Sequence, residues 1–341
     1  MINQTIFVTG GTGFVGSYLL RYLVAQKKGT IRALKRKNSP MDLVESIRDQ
    51  VEWIEGDLLN PGLLEAAISD CQYVFHCAAM VSFDSRLTKT MQRVNEEGTE
   101  NVVNAAQLHR VKKLVHISSI AALGKARGNN LIDEGTNWKA DKNHSAYAIS
   151  KNAAEMHVWR AMAEGLNGAI LNPSVILGSG FWDTTSCRIF KVYSKGFPFY
   201  SVGSNGFVDV RDVAKMAILL IDSPVNQERF VVNGENLSFR ELFNTISQYA
   251  GKPLPYLKLS ALFTGLGWRA DWLKSRVTGI PPIITRESVM HASEKNFYDN
   301  SKSIERFSYE YIPIRETIAQ TVDQYLESAQ KGLKSMVLPL R

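Results

Sequence analysis

"TIFVTGGTGFVG", residues 5–16, runs from an apolar, β-branched segment straight into a cluster of glycines. Its first five residues suit a buried strand, and residues 14–26 carry the apolar spacing of a helix. Between them Gly10, Gly13 and Gly16 form G-x-x-G-x-x-G, while Gly11, Gly13 and Gly16 also satisfy G-x-G-x-x-G. Glycine permits a tight turn, lets backbone approach a pyrophosphate, and allows close packing of helix on strand. The helix N-terminus then turns free N–H groups and the positive end of its dipole towards phosphate. Gly10, Gly11, Thr12, Gly13, Phe14, Val15 and Gly16 are therefore expected to cradle a dinucleotide. A merely tight turn is the alternative, and the pattern downstream weighs against it.

Strand-like and helix-like segments alternate from there. "TIRAL" (30–34), "VEWIEG" (51–56), "QYVFHCAA" (72–79), "KLVHIS" (113–118) and "NGAILNPSVIL" (167–177) read as strands. A short helix after Pro61 and longer ones over 87–108 and 145–164 supply the crossovers that parallel strands need. The expected fold is α/β, a doubly wound parallel sheet (Rossmann fold) over residues 1–177, with a smaller C-terminal substrate lobe over 178–341. Residues of about 206–233, beginning with "GFVDV", are expected to return to the main sheet.

Composition narrows the function classes. The chain is 341 residues long, 45% hydrophobic and 21% charged, the balance of an ordinary globular protein. Cys71, Cys77 and Cys187 are odd in number and at no metal-like spacing, and the six histidines are scattered, so no metal is expected. Reduced thiols and an N-terminus without signal-peptide features point to the cytoplasm. No stretch reaches the length of a membrane span. The basic cluster "KKGTIRALKRK" (27–37) lacks the aromatic platform or module of a nucleic-acid binder, so no nucleic-acid partner is expected. It has a better use. An NAD site usually places an acid about 20 residues beyond its glycines, on the ribose hydroxyls. Here Leu34-Lys35-Arg36-Lys37 offers none, whereas Arg36 and Lys37 can pair with a 2′-phosphate. NADP(H) is preferred and NAD(H) is the alternative.

In "HSAYAISKNAAE", residues 144–155, Tyr147 and Lys151 stand one turn apart on an alanine-rich helix. A cation beside a phenol lowers its pKa and makes a general acid or base of it. Tyr298 and Lys302 share the spacing, so spacing alone cannot choose between the two pairs.

With "GDLLNP", "HCAA", "VNEEGTENVV", "ISS" and "YAISK" following the glycine loop in this order, the chain resembles the extended branch of the short-chain dehydrogenase/reductase superfamily. That branch includes dihydroflavonol reductase-like and 3β-hydroxysteroid dehydrogenase-like reductases, and sugar-nucleotide epimerases and dehydratases. The resemblance selects Tyr147 and Lys151, because the family's pair follows the strand that bears the catalytic serine. It implies Tyr147 as the acid/base, Lys151 as its tuner and ribose ligand, and Ser119, ahead of Ser118, as hydrogen-bond donor to the substrate oxygen. It implies Asn95 in the proton relay, a helix-surface asparagine being the alternative. It further implies Asp57 and Leu58 beside the adenine, Cys77, Ala78 and Ala79 along the cofactor, and Asn172, Pro173 and Val175 beside the nicotinamide. His116 and His144 are not needed for the chemistry.

Three functions are thus compared. A reductase of a ketone or aldehyde comes first, acting on a small molecule. A nucleotide-sugar epimerase or dehydratase is the alternative. It is disfavoured because the Asp-Glu that dehydratases carry after the Ser/Thr is Ile120-Ala121 here, and the Arg-Asp that epimerases carry before "FVDV" is replaced by Ser204-Asn205-Gly206. A non-catalytic regulator comes last, since such members lose the tyrosine or lysine. Phe181, Trp182, Trp268 and Trp272 are candidates for an apolar pocket, with plain core packing weighed against it. The family often dimerises through the helices around 87–108 and 145–164, so a homodimer is allowed for.

Overall fold

Thr5–Thr9 form β1 and alternate strictly: Ile6 and Val8 join the core on one side of the sheet and Phe7 that on the other. The computed structural model describes residues 4–82, 84–125, 131–139, 141, 144–184, 186–259 and 293–341. The first half follows as α1 (Phe14–Ala25), β2 (Thr30–Lys35), β3 (Glu52–Glu55), α2 (Pro61–Ile68), β4 (Tyr73–His76), α3 (Thr88–Leu108), β5 (Lys113–Ile117), α4 (Ala146–Ala163) and β6 (Gly168–Pro173). The second half contributes β7 (Val175–Leu177), α5 (Cys187–Tyr193), β8 (Phe199–Tyr200), β9 (Ser204–Asp209), α6 (Val210–Asp222), β10 (Glu228–Val232), β11 (Glu235–Ser238), α7 (Phe239–Tyr249) and β12 (Leu257–Lys258). Two further helices are α8 (Ser301–Phe307) and α9 (Ile314–Lys331).

Seven parallel strands build the main sheet in the order β3-β2-β1-β4-β5-β6-β10. Strand order reverses between β1 and β4, and in such sheets the ligand crevice opens at the carboxyl ends of the strands beside that reversal. Tyr18, Leu19 and Leu23 of α1 share one core with Val213, Ala214 and Ala217 of α6. Val102 and Ala106 of α3 share the opposite core with Val158 and Met162 of α4.

Two strand readings need correcting. "NGAILNPSVIL" is two strands: β6 ends in the main sheet at Pro173, which has no N–H to extend the ladder. After Ser174, β7 pairs instead with β9 in a second sheet of order β11-β9-β7. "GFVDV" therefore lies in the smaller sheet, and within 206–233 it is α6 and β10 that pack on or join the main one. Trp182 is 3% exposed in the core formed with Phe190, Phe243, Ile318 and Tyr325, which leaves it no place in an open pocket. Trp268 and Trp272 lie outside the described residues.

The final residues run back over the first helix. Trp182 N donates to Lys334 O (3.1 Å) and Met336 N to Gly180 O (3.2 Å). Leu338 N donates to the Tyr18 hydroxyl (2.7 Å), which donates to Ser179 O (2.8 Å), and Arg341 N reaches the Tyr22 hydroxyl (3.2 Å). Beneath lies a buried bidentate pair, Arg211 to Asp209, at 2.9 and 2.7 Å. Nearby Asp212 accepts from the Tyr309 hydroxyl (2.8 Å) and Ile312 N (3.0 Å). Among the described residues no helix is long and apolar enough to cross a membrane, and no cluster of His, Cys, Asp and Glu could hold a metal.

Candidate active site

The glycine loop closes on the carboxyl end of β1. Gly10 turns with φ +71°, and a Cβ there would stand 2.7 Å from Ala78 N. A Cβ on Gly16 would stand 2.2 Å from Gly10 O, so the loop and the first turn of α1 touch backbone to backbone. Gly13 caps α1 without a side chain, leaving the N–H groups of that turn to an outside acceptor. Thr12, Phe14 and Val15 occupy the same turn, and the segment Cys77, Ala78 and Ala79 runs alongside it from β4. β4 stops at His76 because the chain beyond turns to Asn95 on α3: Met80 N donates to Asn95 Oδ1 (2.7 Å) and Asn95 Nδ2 donates to Met80 O (3.0 Å).

Asn95 is 1% exposed and also donates to Ser150 Oγ (2.9 Å), so the surface-asparagine alternative is excluded. Ser145 caps α4 by accepting from Ala148 N (3.1 Å), which starts the helix just before Tyr147. Tyr147, Lys151 and Glu155 then follow at successive turns along one face. The Tyr147 side chain is hydrogen-bonded to that of Ser119. Ser118 is instead committed to Glu155, donating to Oε2 at 2.7 Å. Asn172 at the end of β6 donates to Ser119 O (3.0 Å) and keeps a buried Oδ1 with no partner, with Pro173 and Val175 next along the chain.

Lys151 is 2% exposed, and its Nζ donates to Ile117 O at 3.1 Å. Burial pulls its pKa down to about 8, opposed by the charge of Glu155 and then by Cys77. The phenol departs from the sequence expectation: burial raises the Tyr147 pKa, and the bond to Ser119 only partly offsets this. His76 and His116 stack with ring centroids 5.0 Å apart, and burial holds His76 down at about 3 and His116 well below its usual value, so both are neutral. His76 still has work to do, linking Thr9 (2.7 Å) to Thr99 (2.9 Å), whose hydroxyl donates to Asn95 O (2.6 Å).

The alternative pair is not built for this chemistry. Tyr298 is buried in an extended segment that pairs with Ile132, and Lys302, on α8, spends its ammonium on Arg229 O (3.0 Å) and Glu228 (2.9 Å). At the other end of the crevice Asp57 accepts from Leu59 N (2.9 Å) and Leu58 O from Asn101 (2.9 Å). Arg36 and Lys37 are exposed just past β2. Lys28, Arg32 and Lys35 of the same basic stretch are paired with Asp222, Glu52 with Asp70, and Glu55, whereas no ion pair engages Arg36 or Lys37 among the described residues.

The sequence pattern of the NAD dependent epimerase/dehydratase family matches residues 6–233, from β1 to the end of β10. The chain belongs to that family. A putative dihydroflavonol 4-reductase of Synechocystis sp. is 30% identical over 327 residues, covering 93% of this chain and 93% of that protein. Cinnamoyl-CoA reductase 1 of Petunia hybrida is 29% identical, covering 74% and 80% respectively. The crystal structure of gox2253 superposes with a TM-score of 0.82 at 29% identity, covering 96% of this chain and 99% of that one. The protein is an NAD(P)-dependent oxidoreductase of the extended short-chain dehydrogenase/reductase type, with epimerisation as the alternative activity within the family. The residues present fit a dinucleotide, since side chains are missing where Gly10 and Gly16 meet backbone and the buried Asn172 Oδ1 awaits a donor.

Sequence reading missed Glu155, and with it the bonds that fix Ser118 and Asn172. A third polar residue on the Tyr147–Lys151 face of an alanine-rich helix was the available signal.

Proposed function

We propose that this protein is an NADPH-dependent reductase of a ketone or aldehyde, with Tyr147 as the proton donor. The observation that carries the reading is the Tyr147 phenol, hydrogen-bonded to Ser119 and raised in pKa by burial. A phenol that keeps its proton at neutral pH is poised to give it to an oxygen that gains negative charge. Bound NADPH supplies the hydride to the carbonyl carbon. The Ser119 hydroxyl donates to the same oxygen and orients it. Lys151, still largely the ammonium at neutral pH, stabilises the tyrosinate left behind and offers donors to the ribose. Asn95, tied to Met80 and Ser150, keeps the backbone around the proton path in place.

The NADP(H) preference is supported by Arg36 and Lys37, which follow the second strand and which no acid neutralises among the described residues. Reductase activity is supported by the relatives' names and by Ile120 and Ala121 where a dehydrating acid pair would stand. Three free thiols suit the reducing cytoplasm.

The test is cofactor absorbance and product analysis over a panel of aldehydes, ketones and nucleotide sugars, with Tyr147→Phe and Tyr298→Phe run on the substrate that responds. Tyr147→Phe is expected to lose about 10² to 10⁴ in turnover while still binding NADPH, with Tyr298→Phe close to the parent. Full turnover by Tyr147→Phe overturns the assignment. Product formed without net cofactor oxidation moves the function to the epimerases.

A further inference from the structure

A buried carboxylate stands one helical turn beyond Lys151. Glu155 is 1% exposed, and four donors converge on it. Ser118 Oγ (2.7 Å) and Asn172 Nδ2 (2.8 Å) reach Oε2, while Arg229 Nη1 (2.9 Å) and Trp159 Nε1 (3.2 Å) reach Oε1. Two of the four belong to the strand ends at the reacting hydroxyls: Ser118 directly precedes Ser119, and Asn172 Nδ2 also donates to Ser119 O. A buried ion pair is poor evidence for stability, because packed apolar groups of the same volume often serve as well. What an apolar group cannot do is place a charge beside Lys151.

We propose that Glu155 is a positioning residue of the reacting site: through Ser118 and Asn172 it fixes the strand end that carries Ser119, and its carboxylate is the counter-charge of the Lys151 ammonium. The inference rests on the reading of Tyr147, Ser119 and Lys151 as the reacting groups. The groups that face Lys151 are the Tyr147 phenol and Glu155 on its own helix, Cys77 beyond β4, and the neutral His76 and His116 on β4 and β5. Glu155 is faced by Arg229 from β10, whose Nε and Nη2 donate to Glu134 O at 2.9 and 2.6 Å. Arg229 therefore draws off part of the charge that Lys151 would otherwise feel. Removing either residue should move Lys151 in opposite directions, which packing alone does not require.

The experiment is an NMR titration of the full chain with 13Cε-labelled lysine, the Lys151 signal being identified by its loss in Lys151→Met. Glu155→Gln should lower the titration midpoint by on the order of one pH unit, and Arg229→Met should raise it. Turnover of Glu155→Gln should fall tenfold or more, its alkaline limb shifting the same way, with the KM for NADPH changed less than twofold. A midpoint unmoved in Glu155→Gln overturns the proposal; should that variant fail to fold, an unmoved midpoint in Arg229→Met does so. The titration needs no turnover, so it separates this inference from the reductase reading, which falls instead if Tyr147→Phe keeps full activity.

Discussion

Arg36 is exposed just past the second strand, and its value can be stated as a free energy. A charged hydrogen bond to a 2′-phosphate contributes on the order of 1.5–3 kcal/mol, so Arg36→Asp should weaken NADPH binding roughly tenfold to a hundredfold and favour NADH. Calorimetry with both nucleotides on both proteins checks this, and an unchanged preference rules Arg36 out. Lys151 makes a second prediction. A lysine is a cation below its pKa, and burial has brought this one to about 8, so turnover should decline as pH rises through that value. A rate that stays flat to about pH 10 would show that the ammonium is not needed. Four-residue spacing made two pairs legible, Tyr147–Lys151 and Tyr298–Lys302, and it was the family resemblance that chose the first. The direction of the phenol's shift was not legible, because desolvation depends on what the tertiary fold stacks around a side chain. Asn95 shows the same gap: its position in the helix was readable, its burial against Met80 and Ser150 was not.

At the scale of elements, the strand–loop–helix unit is constrained most tightly where backbone meets backbone. A Cβ on Gly16 would sit 2.2 Å from Gly10 O, an atom that cannot rotate away. Gly16→Ala should therefore cost about 1–3 kcal/mol and weaken nucleotide binding. Gly62, in the first turn of α2, is the contrasting case, with only Asn60 Oδ1 near its notional Cβ, at 3.9 Å. Gly62→Ala should stabilise the protein by about 0.4–1 kcal/mol by restricting the unfolded chain. Denaturant unfolding of the two variants reads both signs, and equal effects would contradict the geometry. Most of the alternation of elements up to β6 could be read from the sequence, since the central strands are apolar runs separated by helix-like segments. The exit at Ser174 could not, because Val175 to Leu177 are as apolar as the residues before them and differ only in their partners.

The whole molecule is held by contacts between distant parts of the chain, and one of them titrates. Burial raises Asp212 from the usual 3.8 to about 6, the Tyr309 hydroxyl opposing the shift. The folded state thus binds this proton more tightly than the unfolded one. Its stabilising contribution is complete below about pH 4 and is lost as pH rises through about 6, a change on the order of 3 kcal/mol. Asp212→Asn, which does not titrate, should gain on the parent by that amount between about pH 4 and about pH 8 in urea unfolding, and a constant difference would refute the account. The homodimer that the family resemblance allows for can be tested at Ile149 and Met156, which are 44% and 56% exposed, two turns apart on α4. Met156→Glu should shift sedimentation towards the monomer, and an unaltered dimer would place the contact elsewhere. The run of residues 334–341 across α1 also bears on how the protein is made. Tyr18 and Tyr22 receive their partners from positions some 320 residues later, and synthesis delivers the N-terminal half first. The helix that begins the dinucleotide site therefore leaves the ribosome long before its final contacts exist. Its last packing step waits for translation to reach residue 341, and such long-range closure slows folding. Until then the nascent chain carries two tyrosine hydroxyls that a chaperone, or a neighbouring nascent chain, can reach.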